Sequence, residues 1–218
     1  MRDAYTEQID DLVALLTSMC TDVAIALDKA TRALVQSDAV LAQEVVDEDA
    51  GIDLTWHEAE EKAFELLVLQ APLATDLRIV VAAIHTAADI QRMGALAEHI
   101  AEAVLRRRPE PVLPAEVAGF FGEMGRVGVE LARKAVEVME SRDPVKAAQL
   151  EADDDAMDDL HEHMSRQLMD RNWPHGVEAA VDAVLLARFY ERYADHAVAI
   201  ARRIIYVVTG QMPGPLSL

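Results

Sequence analysis

Cysteine occurs once, at Cys20, so no disulfide can form within the chain and a reducing compartment fits. A free cysteine behaves as a small hydrophobe, and Cys20 falls beside an apolar helical stripe, which reads as an inert core thiol. Aromatic residues make up only 5% of the chain, and nine glycines and eight prolines gather mostly at junctions. That scarcity disfavours strands. No apolar run approaches the roughly 18–20 residues that a membrane span needs. The first ten residues are charged on alternate turns and lack the apolar core of a secretory leader. A cytoplasmic location is therefore expected, with any membrane role peripheral.

Positive charge is also scarce. Lys and Arg total 20 against 39 Asp and Glu, a net charge of −19. Such a surface repels phosphate backbones and argues against nucleic-acid binding; it suits basic protein partners or metal ions. The one dense basic run, Arg106 to Arg108, reads as favourable charge at a helix C-terminus. No glycine-rich phosphate loop and no nucleophile motif is present, and no basic cluster opens a helix to hold phosphate directly. A non-enzymatic protein is expected.

What the chain does have is apolar residues, 52% of the total, enough to exclude disorder and build a core. They recur at alternating spacings of three and four, the pattern of helices packed on helices. The first seam is Ile9, Leu12, Leu16, Met19, Val23, Ala26, Ala30 and Ala33. Asp38 is placed to cap a second helix, which carries Val45, Asp49, Ile52, Trp56, Ala59, Ala63 and Leu66 and stops at Pro72. A third helix is predicted from about Leu73 to Arg107, before the prolines at 109, 111 and 114. Val117, Phe121, Met124, Val127, Leu131, Ala135 and Val138 form the seam of a fourth. Asp143, with Pro144 at the first helical position, caps a fifth that reaches about Arg171. Asn172, Trp173, Pro174 and Gly176 break the chain, with Trp173 plugging the turn, and a sixth helix ends at Gly210.

The second half repeats the first. Met19 to Asp53 lies over Met124 to Asp158, 105 residues on, with Asp38 on Asp143 and Asp49 on Asp154. The third helix lies over the sixth at an offset of 100, Arg92 on Arg192 and Ile100 on Ile200. Five residues are thus missing between the fifth and sixth helices. Inside a helix that deletion would turn its face by roughly 140°, so it must sit at the junction. The expected fold is all-α, two tandem three-helix bundles of six long helices: repeat 1 over 1–108, repeat 2 over 115–210, and a flexible tail over 211–218.

Carboxylates lie on the seams. Asp49 and Asp53, Asp154 and Asp158, and Glu191 and Asp195 are each four apart and share a helix face. A bare carboxylate facing a core is costly unless it is paired or bound to a metal. In the last helix a row of Val184, Arg188, Glu191, Asp195 and Val198 runs beside the apolar seam. If the fifth and sixth helices pack side by side, Asp154, Asp158, Glu191 and Asp195 converge, with His161 able to add a nitrogen. Clustered oxygens without thiolate suit Mg, Mn or Fe. The plainer reading is a solvated acidic face neutralised by Arg188 and Arg192. His85, His99 and His196 read as partly buried or surface histidines.

The string Phe189-Tyr190-Glu191-Arg192-Tyr193-Ala194-Asp195-His196-Ala197 resembles the PhoU family signature, in which Glu-Arg-x-x-Asp-His-Ala marks the last helix. Ala71 to Arg78 resembles that family's entry into its third helix, and Asp49-x-x-Ile52-Asp53 its acidic motif. The resemblance spans about Tyr5 to Gly210. It implies a twofold three-helix repeat and a negative regulator of the phosphate-starvation response and phosphate uptake. The implied partners are a sensor histidine kinase and the ATPase of the phosphate transporter; separately, the alanine-rich seams of this chain could build a homodimer interface. The resemblance also implies iron or zinc bound through the acidic pairs. Repeat 2 keeps both pairs, Asp154/Asp158 and Glu191/Asp195. Repeat 1 keeps Asp49/Asp53 but has Gln91 and Ala95 at its third-helix positions, and Glu98, two turns past Gln91, is a poor substitute. One metal site, in repeat 2, is therefore expected, with repeat 1 weak or empty.

Two other readings remain. A ferritin-like di-metal carboxylate enzyme would need Glu-x-x-His on two helices; the nearest match is Asp158-x-x-His161, once. A metal-free helical adaptor would use the acidic faces only for docking.

Overall fold

Local signals set the helix starts. Asp38 accepts hydrogen bonds from the N–H groups of Val40 and Leu41 at 3.0 and 3.1 Å. Asp143 does the same for Val145 at 2.8 Å, with Pro144 in the first turn where its missing N–H costs nothing. Gly210 closes the last helix in the left-handed conformation at φ 73°. The computed structural model describes residues 2–70, 72–170 and 173–211, with only the backbone described for residues 2–4 and 70. The elements are α1 (Arg2–Gln36), α2 (Ala39–Gln70), α3 (Thr75–Arg107), α4 (Ala115–Ser141), α5 (Pro144–Asp153), α6 (Asp155–Leu168) and α7 (Gly176–Thr209). No strand occurs among the described residues.

Three expectations need correction. The fifth helix is broken at Asp154, where the Met157 N–H reaches back to the Asp154 carbonyl at 2.8 Å in a tighter, three-residue turn. It also stops at Leu168 rather than about Arg171, and α3 begins at Thr75 rather than Leu73. The five missing residues therefore come out of the end of the helix, and the connection to α7 is longer than its counterpart in repeat 1. Ala71, Arg171, Asn172 and the predicted tail from 212 onward lie outside the described residues.

The two halves pack on each other through α1 against α4 and α3 against α7, around one continuous core. Glycine permits the first crossing. A Cβ on Gly125 would land on the Thr31 side chain, and one on Gly128 on Leu27. Thr31 in turn shares a 3.0 Å hydrogen bond with the Tyr190 hydroxyl. Tyr190 and Tyr193 are fully buried, and the Tyr193 hydroxyl donates to the Val23 carbonyl at 3.1 Å, so neither phenol is left unpaired. Cys20 is buried with its thiol toward the Ala132 carbonyl, and burial pushes its pKa up to about 12, consistent with an inert core thiol.

α3 and α7 run antiparallel. Arg107, in the last turn of α3, pairs with Glu178 at 2.5 Å and with Asp182, both near the start of α7. At the other end, Arg78 Nε donates to the Val207 carbonyl at 3.3 Å. Arg107 thus does more than complement its own helix end: it ties the two repeats together. Trp173 is partly buried, and its indole N–H reaches the Gly176 carbonyl at 2.8 Å, holding the entry to α7.

Candidate functional site

The break at Asp154 puts a carboxylate at the junction of α5 and α6, both of which pack on α7. There a cleft of about 500 Å³ opens, lined by Asp154, Asp155 and Asp158 from the α5–α6 junction and by Arg188, Arg192 and Asp195 from α7. Glu191 borders it, half-buried. Its Oε2 lies 2.5 Å from Arg188 Nη1 and 3.5 Å from His161 Nδ1. Asp154 Oδ1 and Glu191 Oε2 are both buried, and neither meets a donor aligned for a hydrogen bond. Burial, then the charges of Asp158 and Asp195, raise the Asp154 carboxyl to about 7. Burial and Glu191 raise Asp158 and Asp195 as well.

The four predicted residues therefore share one neighbourhood, with His161 at its edge. Arg188 occupies part of it, as the plainer reading required. Arg192 lines the cleft without touching these carboxylates closely enough to form an ion pair. Among the described residues no three His, Cys, Asp or Glu side chains stand together as a ready-made ligand set. The donor chemistry still fits a hard or borderline cation, because the buried Asp154 Oδ1 has no partner, and burial and the carboxylates around it raise its pKa.

Repeat 1 is built differently at the matching place. The Gln91 amide donates to Asp53 Oδ1 at 3.0 Å. Asp49 is half-buried and its pKa is raised by burial and by Asp53. Glu98, set aside above as a poor substitute, is raised by burial and then by Asp49, so it does lie within electrostatic reach. The antiparallel register explains this: the pairing that sets Gln91 opposite Asp53 brings Glu98 level with the neighbourhood of Asp49.

Other pairings in the cleft gave no sequence signal. Asp89 of α3 takes a 3.0 Å hydrogen bond with His196 Nδ1 and pairs with Arg203, both on α7. Arg202 pairs with Glu151. These contacts join elements far apart in the chain, and no local spacing announces them. His99 stands 3.5 Å from Glu102 and its ring lies 5.5 Å from that of Phe189, a surface role as expected.

Comparison with known proteins gives the same picture at the level of the whole chain. The model of the PhoU domain matches twice, over residues 16–104 and 121–204. A Mycobacterium tuberculosis protein described as phosphate-specific transport system accessory protein PhoU homolog 2 is 56% identical over 213 residues, 98% of this chain and 100% of that one. A Mycobacterium leprae protein described as homolog 1 is 55% identical, covering 98% of this chain and 96% of its own. The crystal structure of the phosphate transport system regulatory protein PhoU from Streptococcus pneumoniae superposes with a TM-score of 0.88 at 21% identity, over 97% of this chain and 100% of that chain. That of PhoU from Pseudomonas aeruginosa gives 0.86 at 22% identity, over 95% and 100%. At those identities the two structures speak for the fold, which is the doubled helical bundle.

Proposed function

The chain belongs to the PhoU family, and we propose that it is an accessory regulator of phosphate transport that works by protein contact and without catalysis. The observation that carries this is the near full-length match to relatives described as phosphate-transport accessory proteins. The finer reading is that it represses phosphate uptake and the starvation response when phosphate is ample, by docking on a sensor histidine kinase and on the transporter ATPase. A location on the cytoplasmic side follows from those partners. Among the described residues no helix is long and apolar enough to cross a membrane, so contact with a transporter would be peripheral.

A metal site in repeat 2 belongs to the same proposal. Asp154, Asp158, Glu191 and Asp195 would hold an Fe, Zn, Mn or Mg ion, with His161 beside them and Asp49 and Asp53 the weaker pair. Such an ion would supply the missing positive charge and tie α5 and α6 to α7. The metal-free adaptor is the second reading, favoured by the ion pair of Arg188 with Glu191. A ferritin-like enzyme has less support, since its Glu-x-x-His pattern is met by no residue pair of this sequence.

Deletion of the gene tests the regulatory reading. Transcripts for phosphate uptake should rise in phosphate-rich medium. Mycobacterium tuberculosis carries both a homolog 1 and a homolog 2, so the deletion is made in a strain without any second copy. Unchanged transcripts there would overturn the proposal. A pull-down from phosphate-replete cells should recover the ATPase or the kinase.

A further inference from the structure

The row on α7 that ends in the carboxylates begins with bare apolar residues. Val177, Val181, Val184, Arg188, Glu191 and Asp195 follow one another at spacings of four and three, so they share one face of the helix. Val177 is 80% exposed, Val181 49% and Val184 45%. Their counterparts 100 residues earlier, Leu77 and Val81, are less open at 41% and 37%. The difference traces to the shortened helix. The register that sets His161 near Glu191 brings α6 to its end, Leu168, opposite Val184, so the first turns of α7 have no α6 beside them. In repeat 1, α2 continues to Gln70 and flanks the start of α3. The five-residue deletion has uncovered an apolar track that leads into an acidic cleft.

We propose that this track and the carboxylates at its far end form a docking groove for an amphipathic helix of a partner protein, one whose apolar face is bordered by Lys or Arg. From Val177 to Asp195 the groove is about 27 Å long, the length of a helix of roughly 18 residues. Apolar side chains of the partner cover the valines, and in the metal-free protein a basic side chain at its end enters the cleft beside Asp195, Asp158 and Asp154. The charge pattern selects this occupant. A second copy of the chain carries the same −19 and has one dense basic run, whose Arg107 is already paired. An anionic lipid surface is repelled for the same reason.

The groove rests on the contact-regulator reading, deepening it by naming the chemistry of the partner. The probe is a synthetic 18-residue peptide with leucine at positions 1, 5, 8, 12 and 15 and lysine along both borders. It is titrated into the full chain at physiological salt and read by fluorescence anisotropy, beside a twin with glutamate at every lysine. The lysine peptide should bind and the glutamate twin bind at least about tenfold more weakly. Val181→Ser with Val184→Ser should weaken the lysine peptide about tenfold, and Asp158→Asn with Asp195→Asn several-fold. Val40→Ser with Leu54→Ser, changes at exposed apolar residues of α2, should leave binding unchanged. Equal binding by the valine variant would mean general attraction to an acidic chain and would overturn the groove. So would equal binding of the glutamate twin, or a dimer in sedimentation that the valine variant abolishes and the peptide does not disturb. Loss of the groove with transcripts still derepressed by deletion leaves the phosphate role standing; unchanged transcripts with the groove intact remove that role alone.

Discussion

The Gln91 amide donates to Asp53 in repeat 1 at 3.0 Å, where repeat 2 places the carboxylate of Glu191. A neutral donor satisfies Asp53 without any cation, so the two repeats differ in their demand for positive charge. The chain is expected to take up one metal ion, not two. Asp154→Ala with Glu191→Ala should remove it, and Asp53→Ala should change metal content little, as measured by elemental analysis after dialysis. The converse change, Gln91→Glu with Ala95→Asp, should raise the count toward two. Equal losses from the repeat 1 and repeat 2 variants would sink the single site.

Arg188 competes for Glu191. Its side chain is about half exposed, so it can swing into solvent when an ion arrives. Arg188→Ala is expected to tighten metal binding by roughly three- to tenfold, since the displaced ion pair is partly solvated and worth about 1 kcal/mol. Titration calorimetry with Mn or Zn reads this directly. Unchanged or weaker affinity would show that Arg188 supports the site.

Stability of the metal-free protein should fall as pH rises. The Asp154 carboxyl titrates near 7 in the folded chain against an ordinary 3.8, because burial and neighbouring carboxylates disfavour its ionised form. A raised folded value means its contribution is complete below about pH 4 and is lost as pH climbs through 7. Asp154→Asn should therefore stabilise the protein at pH 8 and have little effect at pH 4. The gain should be about 1–2 kcal/mol, below the roughly 4 kcal/mol that three unscreened pKa units would carry, because the group keeps some solvent. Denaturant melts at both pH values in the presence of a chelator check it. A flat difference across pH would contradict it.

Two glycines of α4 should respond in opposite directions. Gly125→Ala drives a methyl group into Thr31 and disturbs its bond to Tyr190, at a cost of about 2–3 kcal/mol. Gly122→Ala meets open space and should stabilise the helix by about 0.5–1 kcal/mol. Thermal melts of the two variants separate these effects.

Most of the architecture was legible in the residues because helix seams and caps are local. Asp38, Asp143 and Gly210 act where their types and neighbours place them. The convergence of Asp154, Asp158, Glu191 and Asp195 followed from seam position and the repeat offset. The break at Asp154 was passed over although it sits in a run of three aspartates, Asp153 to Asp155, whose mutual repulsion and weak helix preference mark a soft point in an otherwise helical stretch. The Asp89–His196–Arg203 group depends on how α3 lies against α7, and Arg107 reaches across the same contact. Such pairings are set by interhelical register, which a single seam does not encode.

The same break gives α6 a mechanical character. Its 14 residues form an arm about 21 Å long, pivoted at a half-buried acid. A swing of about 10° at Asp154 carries Leu168 by roughly 4 Å relative to the valines of α7. An ion held at Asp154 would therefore act at the root of this arm, and repeat 1, with its unbroken α2, has no such arm.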